Sequence, residues 1–181
     1  FRSVSFNTPI ISIGNITTGG VGKTPMVIYL AKILKRSGYK PGIVSRGYGR
    51  SSRGLIMVHD GDRVLTDVES AGDEPYLMGK KLNTVPILVS ENRIAGIQEI
   101  LNNSQVDIII LDDAFQHRKV KRNMDVVMIS ACDKPCDYHL LPWGNLREPI
   151  RNLNRAQYVI YTNTKQFQTP PLHNTLNPYL Q

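Results

Sequence analysis

The sequence predicts an α/β fold built on a mainly parallel sheet that helices cover on both faces. Short apolar runs of strand length alternate along the chain with stretches whose apolar residues recur at helical spacing. Several runs are apolar at successive positions, which is typical of strands buried on both sides of a parallel sheet. With 41% hydrophobic and 20% charged residues among 181, the composition is that of a globular protein and excludes extensive disorder.

The predicted elements follow one another in a regular order. We expect strands over 9–14, 42–45, 86–90, 107–111, 125–130 and 158–161, and helices over 24–36, 74–82 and 92–101. The runs 55–59 and 63–66, joined through Asp60-Gly61-Asp62, are expected to form a small β-hairpin insertion. Periodicity ends near Lys165, so we predict one domain over 1–164 and a linker, or the start of a truncated C-terminal lobe, over 165–181.

The first helix and the strand at 107–111 have the clearest patterns. Val27, Ala31 and Leu34 share one face of the helix, and Gly38 is its expected C-terminal stop. The strand is the most apolar of the set and stops at two aspartates. No apolar run is long enough to cross a bilayer as a helix.

The charge balance narrows the classes of partner. Lysine and arginine total 22 against 15 acidic residues, which gives a net charge of +7 and a pI near 9.5. Such an excess favours polyanions: nucleotides, nucleic acid, phosphorylated lipids or an anionic membrane surface. Two cysteines are too few for a disulfide framework.

A glycine-rich sequence, Thr17-Thr18-Gly19-Gly20-Val21-Gly22-Lys23-Thr24, lies between the first predicted strand and helix. Its glycines allow successive backbone N–H groups to turn inward, and the helix N-terminus adds partial positive charge. In a phosphate-binding loop (P-loop) of this kind, Lys23 reaches the β- and γ-phosphates of a nucleotide and the Thr24 hydroxyl binds Mg²⁺. The general pattern has glycine where this chain has Thr17. The strand–loop–helix context nevertheless predicts nucleotide binding.

An acidic pair, Asp112 and Asp113, ends the most apolar strand. An acidic residue at the carboxyl end of such a strand is the partner that a P-loop needs to hold Mg²⁺, directly or through water. A buried strand followed by a polar turn would give the same pattern without any metal. Beside the P-loop, the pair predicts a metal site.

Three weaker features lie at predicted element ends. Asp73 opens a predicted helix, and a role as the N-cap of that helix would by itself explain an aspartate at this position. Arg46 and Arg50 could contact phosphate, although glycine-flanked arginines are usually solvated. His117 follows Asp113 by four residues and could be either a site histidine or a surface one.

Together these segments resemble the tetraacyldisaccharide 4′-kinase family, the lipid A 4′-kinases of Gram-negative bacteria. The family also carries threonine at the position of Thr17. The matching motifs run in order over about residues 10–163: Ser12-Ile13-Gly14-Asn15-Ile16-Thr17, Gly19-Gly20-Val21-Gly22-Lys23-Thr24-Pro25, Ser45-Arg46-Gly47-Tyr48-Gly49, Gly72-Asp73-Glu74-Pro75, Asp112-Asp113-Ala114-Phe115-Gln116-His117, Leu140-Leu141-Pro142 and Leu146-Arg147-Glu148-Pro149.

The resemblance implies a P-loop kinase that moves the γ-phosphate of ATP onto the 4′-hydroxyl of a tetraacylated glucosamine disaccharide 1-phosphate, in lipid A biosynthesis. It implies Asp73 as the base, with Lys23 and His117 as further catalytic residues. It implies a Mg²⁺ site formed by Thr24, Asp112 and Asp113. The nucleotide and site contacts that it implies are the P-loop residues Thr17, Thr18, Gly19, Gly20, Val21, Gly22, Lys23 and Thr24, together with Arg93, Arg147 and Glu148.

The family also has parts without a counterpart in this sequence. Its members begin with a hydrophobic membrane helix and continue into a C-terminal lobe that supplies a histidine to pair with the catalytic aspartate. The resemblance therefore implies a protein at the cytoplasmic face of the bacterial inner membrane, peripheral or anchored by a segment outside this sequence. The basic excess fits a phosphorylated glycolipid and an anionic membrane surface.

Two other classes of function fit the sequence less well than a kinase does. A P-loop GTPase or a metal-insertion ATPase acting as a switch is the main alternative, but guanine selection generally needs an N-K-x-D run. The nearest match, Thr162-Asn163-Thr164-Lys165-Gln166, lacks both the adjacency and the aspartate. A nucleic-acid-binding module is disfavoured because aromatic residues do not interleave with basic ones on any predicted strand.

Overall fold

The computed structural model describes residues 3–166 and 176–179, and its centre is a seven-stranded sheet. The strands are β1 (Ile10–Gly14), β2 (Pro41–Ser45), β3 (Ile56–His59), β4 (Ile87–Val89), β5 (Ile108–Asp112), β6 (Met124–Ser130) and β7 (Tyr158–Thr162). They lie in the order β3-β4-β2-β5-β1-β6-β7, and every neighbouring pair is parallel except β3 with β4. The predicted mainly parallel sheet is confirmed.

Helices cover both faces of this sheet, as predicted. They are α1 (Lys23–Arg36), α2 (Val68–Ala71), α3 (Asp73–Lys81) and α4 (Arg93–Asn103), with 3₁₀ turns at Pro135–Asp137, Ile150–Arg155, Thr164–Gln166 and Asn177–Tyr179. Alternate residues of β5 face opposite layers: Ile110 packs in the cluster with α1 and α3, and Ile109 packs with Ile97 of α4. None of the helices in the described ranges has the length and apolar character to span a membrane.

A third cluster lies over β6, on the same side of the sheet as α4. Here Val127 packs with Phe115, with Leu153 of the 3₁₀ turn, and with Leu176, which is fully buried. Residues 176–179 thus pack onto the body of the domain. The boundary near residue 165 stays a prediction, because residues 167–175 and 180–181 lie outside the described part of the chain.

The predicted hairpin is only partly present. The strand at 55–59 forms as β3, but it joins the sheet edge by pairing antiparallel with β4. The expected second strand is short: Val64 bridges to His59, and the Leu65 N–H donates to the Val58 carbonyl at 2.9 Å. The chain leaves the strand direction because the Asp67 carboxylate accepts a hydrogen bond from the Ser70 N–H at 2.7 Å and so caps α2.

His59 makes the edge of the sheet sensitive to acid. It is buried, and its Nδ1 accepts a hydrogen bond from the Gly61 N–H at 3.0 Å, so that nitrogen carries no proton. Burial lowers the pKa of His59 below its ordinary value, although Asp60 and Asp62 act in the opposite direction.

We expect the fold to lose stability as the pH falls below about 6.5, because the unfolded chain then binds a proton that folded His59 excludes. Between about pH 7.5 and about pH 5.5, the free energy of unfolding should fall less in His59→Asn than in the parent. The difference between the two slopes is at most about 1.4 kcal/mol per pH unit. Urea unfolding at the two pH values measures this difference. Parallel pH dependence in both proteins would contradict the assignment.

Gly14 ends β1 where no larger residue fits. A Cβ at this position would lie 2.6 Å from the Phe115 Cβ and 2.8 Å from the Phe115 backbone nitrogen. Gly14→Ala should therefore reduce the free energy of unfolding by about 1–3 kcal/mol, because it overpacks a buried contact with backbone. Gly20→Ala is the matched control, since nothing lies within 4 Å of its Cβ position. Equal denaturant midpoints for the two variants would show that the contact at Gly14 relaxes.

Candidate active site

The P-loop connects β1 to α1 at the carboxyl edge of the sheet, which is where parallel α/β sheets bind ligands. Gly22 precedes α1 with φ 83°, and no acidic residue in the first turn opposes the positive end of the helix. The loop borders a cavity of about 560 Å³, here called the P-loop cavity. Its lining residues are Thr18, Gly19, Gly20, Val21, Gly22, Lys23, Thr24, Pro25, Tyr48, Glu74, Asp113 and Arg147.

Thr17 differs from the other predicted phosphate contacts. It is buried and does not line the P-loop cavity. Its carbonyl accepts a hydrogen bond from Asn15 Nδ2 at 2.7 Å, and its backbone bridges to Leu146. The next residue, Thr18, donates its N–H to the Asn145 carbonyl at 2.8 Å. Thr17 therefore anchors the start of the P-loop through its backbone, and its contact with a nucleotide stays a prediction.

Two cations flank Asp113 in the wall of the P-loop cavity. The Lys23 Nζ lies 3.6 Å from the Asp113 Oδ1, and an Arg147 nitrogen lies 3.1 Å from both Asp113 oxygens. The Lys23 Nζ also donates to the Asn15 Oδ1 at 3.2 Å, which fixes the lysine across the mouth of the loop. An ammonium and a guanidinium placed in this way are suited to hold phosphate oxygens.

Asp112 occupies a different environment from its neighbour. It is the last residue of β5 and fully buried, and burial raises the pKa of its carboxyl to about 6. The Ser45 hydroxyl donates to the Asp112 Oδ2 at 2.8 Å, and the Oδ1 has no hydrogen-bond partner within the described residues. A carboxylate oxygen without a partner, on the residue before Asp113, is the kind of oxygen ligand that Mg²⁺ or its bound waters require.

A second cavity, of about 250 Å³, adjoins the first and is here called the arginine–histidine cavity. Its lining residues are Arg46, Glu91, Arg93, Asp113, Gln116 and His117. Asp113 lies in the walls of both cavities. Burial lowers the pKa of Arg93 to about 10, which leaves it charged at neutral pH. Burial and then the nearby Arg93 lower the pKa of His117, whose Nε2 is buried and without a hydrogen-bond partner in the described part of the chain.

Asp73 is not an N-cap. It is the first residue of α3 and exposed, and the capping position belongs to Gly72 with φ 87°. The following residue, Glu74, lines the P-loop cavity, whereas Asp73 does not. A Cβ on Gly72 would lie 2.9 Å from the Tyr48 carbonyl oxygen, so the loop after β2 lies directly against the start of α3.

Glu148 does not line either cavity. Its carboxylate accepts hydrogen bonds at 2.8 Å from Gln116, Asn152 and Arg155. Gln116 also donates to the Asn15 carbonyl at 2.7 Å. With both oxygens hydrogen-bonded, Glu148 joins the loop after β5 to the 3₁₀ turn at Ile150–Arg155, and its role in the site stays a prediction.

Ser45 is the site residue that sequence reasoning missed. Val44 pairs with Leu111 in the parallel register of β2 and β5, so Ser45 and Asp112 come next to each other at the strand ends. The sequence indicated Ser45 only as part of a motif, because its contact with Asp112 depends on which strand lies beside β2 in the sheet. Knowledge that β2 lies beside β5 would have identified it.

Removing the Ser45 hydroxyl should weaken Mg²⁺-dependent ATP binding about 3- to 10-fold, the effect of one buried hydrogen bond to a carboxylate. Ser12→Ala is the control, since the Ser12 hydroxyl is equally buried in β1 and lacks a hydrogen-bond partner within the described residues. Titrations of ATP at several Mg²⁺ concentrations measure the effect in both variants. An equal response of Ser45→Ala and Ser12→Ala would exclude a special role for Ser45.

The chain is similar to known proteins. The family model described as tetraacyldisaccharide-1-P 4'-kinase matches residues 1–178. The chain belongs to this family. It is 41% identical over 181 residues to the tetraacyldisaccharide 4'-kinase of Bacteroides thetaiotaomicron, covering 99% of this chain and 46% of the relative. The enzyme of the same name from Chlorobium limicola is 39% identical over 163 residues, with 88% and 47% covered.

A solved structure agrees with the tetraacyldisaccharide 4'-kinase assignment. The crystal structure of LpxK from Aquifex aeolicus in complex with ATP has a TM-score of 0.85 and 38% identity, and the match covers 93% of this chain and 53% of that one. This confirms the predicted P-loop fold. The chain spans about half the length of the relatives it matches. Membership of a kinase family disfavours the GTPase and metal-insertion alternative.

Proposed function

We propose that this chain forms the nucleotide-binding half of an ATP-dependent kinase. The kinase transfers the γ-phosphate of ATP to the 4′-hydroxyl of a tetraacylated glucosamine disaccharide 1-phosphate. The observation that carries the proposal is the contact between two cavities through Asp113. A kinase needs a donor site and an acceptor site that meet at the transferred group, and this pair of cavities provides such a junction.

The P-loop cavity is the proposed ATP site. Lys23 and Arg147 would hold phosphate oxygens in place of the Asp113 carboxylate that they contact here. A further cavity of about 560 Å³ lies at the ends of β6 and β7 and is lined by Cys132, Asn163, Thr164 and Lys165. We propose that this cavity receives the adenine base of ATP, because the end of β7 adjoins the P-loop: the Thr162 hydroxyl donates to the Val21 carbonyl at 3.1 Å.

Thr24, Asp112 and Asp113 are the residues that would hold Mg²⁺. When bound, this ion neutralises charge that develops on the phosphate oxygens during transfer. Ser45 fixes the orientation of the Asp112 carboxylate through its hydrogen bond. The buried guanidinium of Arg93 donates to the Asp112 carbonyl at 3.2 Å and so holds the end of β5 in place.

The arginine–histidine cavity is the proposed acceptor site. Arg46 and Arg93 supply positive charge for the phosphorylated sugar, and uncharged His117 supplies a ring nitrogen that can accept or donate a hydrogen bond. Asp73, exposed at the start of α3, is the proposed base that accepts the proton of the attacking hydroxyl. Lys23 stabilises the charge on the transferred group.

The acceptor is a lipid, so we further propose that the enzyme works at an anionic membrane surface, at the cytoplasmic face of the bacterial inner membrane. The net charge of +7 supports this placement.

Transfer of labelled γ-phosphate from ATP to a tetraacylated disaccharide 1-phosphate tests the function. Label in the lipid product that depends on Mg²⁺ and on the acceptor is the expected result. Release of inorganic phosphate that is unchanged by the lipid would instead indicate an ATPase. A nucleotide titration that shows tighter binding of GTP than ATP would favour the switch alternative.

A further inference from the structure

Four successive residues, Leu140-Leu141-Pro142-Trp143, present apolar side chains to solvent and are here called the apolar loop. Leu140 is 46% exposed, Leu141 53% and Trp143 88%. Apolar residues scattered singly over a surface are normal, but a contiguous set marks a surface that binds a partner. Tryptophan on such a surface is typical of proteins that contact the interfacial region of a bilayer.

Backbone hydrogen bonds give the apolar loop a defined shape. The Trp143 N–H donates to the Leu140 carbonyl at 3.0 Å, and the Leu141 N–H donates to the Leu146 carbonyl at 3.1 Å. Gly144 closes the turn in a space where a Cβ would lie 2.6 Å from the carbonyl oxygens of Asp137 and His139. The apolar side chains are therefore displayed by a closely packed turn.

The same segment is joined to the P-loop. Asn145 accepts the Thr18 N–H at 2.8 Å, and the Arg147 N–H donates to the Ile16 carbonyl at 2.7 Å. Arg147 itself lines the P-loop cavity. The apolar loop consequently lies at a fixed position beside the nucleotide site, on the carboxyl edge of the sheet.

Basic side chains lie on both sides of the apolar loop in the sequence. Lys134 precedes it, Arg151 follows it, and both side chains are exposed. Asp137 is the acidic residue closest before the loop, and it is half-buried. Exposed cations on either side of an apolar segment in the sequence match a membrane with an apolar interior and anionic headgroups.

We propose that the apolar loop inserts into the headgroup region of an anionic bilayer and brings the P-loop cavity to the membrane surface. This inference rests on the proposed function, since an acylated acceptor must be reached from the bilayer that holds its chains. It assigns the contact to one loop on the nucleotide-binding half. Leu140, Leu141 and Trp143 supply most of the inserted apolar surface, and the flanking cations supply the preference for anionic lipid.

Trp143 is the only tryptophan in the sequence, so its fluorescence reports on the apolar loop directly. Vesicles of phosphatidylglycerol should shift its emission to shorter wavelength and reduce quenching by iodide about threefold or more, because the ring leaves water. Lipids brominated on their acyl chains should quench it. Vesicles of phosphatidylcholine should have a much smaller effect, since they lack the anionic headgroup.

Leu140→Ser and Leu77→Ser form a matched pair, because both leucines are 46% exposed and Leu77 lies on α3, outside the apolar loop. Leu140→Ser should weaken vesicle binding about tenfold, and Leu77→Ser should leave it within about twofold. ATP affinity, measured on both variants, should equal that of the parent and shows that they are folded.

Three results would overturn the proposal. The first is Trp143 emission that does not respond to phosphatidylglycerol vesicles, or responds equally to phosphatidylcholine. The second is protection of Trp143 from iodide without lipid, which would mean that protein covers the loop. The third is equal weakening by the two leucine variants. Failure of the parent to bind ATP would count against the proposed function and is distinguishable from all three.

Discussion

Lys23→Ala should reduce γ-phosphate transfer by about two to four orders of magnitude. The Lys23 Nζ is held at the mouth of the P-loop by Asn15 and Asp113, and the other cation in the cavity wall, Arg147, approaches from a different segment. A neutral alanine leaves the charge on the transferred group without its nearest ammonium. Steady-state turnover with saturating lipid and ATP measures the loss.

Lys32→Ala is the control for this prediction, because Lys32 is exposed on the same helix. It should match the parent in turnover and in melting temperature. A folded Lys23→Ala protein with near-parental turnover would show that the assignment of the P-loop is wrong.

Asp73→Asn should lower turnover by about two orders of magnitude or more and leave ATP affinity within a few-fold. A sugar hydroxyl is a weak nucleophile, and a carboxylate that accepts its proton assists the formation of the new O–P bond. Because Gly72 holds the capping position, the substitution should cost little stability. Lipid phosphorylation, ATP affinity and melting temperature are measured on the same preparations.

Glu74→Gln is the informative comparison for Asp73, since Glu74 is the neighbour that lines the P-loop cavity. If the base is Asp73, Glu74→Gln should change ATP affinity or Mg²⁺ dependence more than the pH profile of turnover. The reverse pattern, with the pH profile altered only in Glu74→Gln, would assign the base to Glu74.

Sequence reasoning located most of the fold because local patterns determine it. The helix beginning near Thr24 follows from apolar spacing, and the strand ending at Asp112 follows from an unbroken apolar run. The hairpin at 55–66 forms, but its second arm is shorter than predicted. There the length depends on carboxylates that accept hydrogen bonds from nearby backbone N–H groups, Asp60 in the turn and Asp67 at the start of α2, and such bonds leave no trace in hydrophobic periodicity.

Site residues could be predicted where a sequence motif identifies them. Contacts between side chains that depend on the order of strands in the sheet could not be predicted. Lys23, Asp113 and Arg147 come from three distant segments, and resemblance to a family named all three. Their common cavity is a result of the fold. Glu148 shares a motif with Arg147, yet the two side chains make different contacts, because one faces the P-loop cavity and the other Gln116. Roles in catalysis stay predictions for all of these residues.

The strand order also determines when the P-loop cavity can form while the chain is being synthesised. β1, which leads into the P-loop, lies between β5 and β6, so Ile10 pairs with Ile109 and Ile11 with Met124. A ribosome therefore releases the whole P-loop long before the strands that support it on either side have been made. Pairings between such distant segments form slowly. The emerging chain must keep β1 from binding other apolar segments until β5 and β6 have been made.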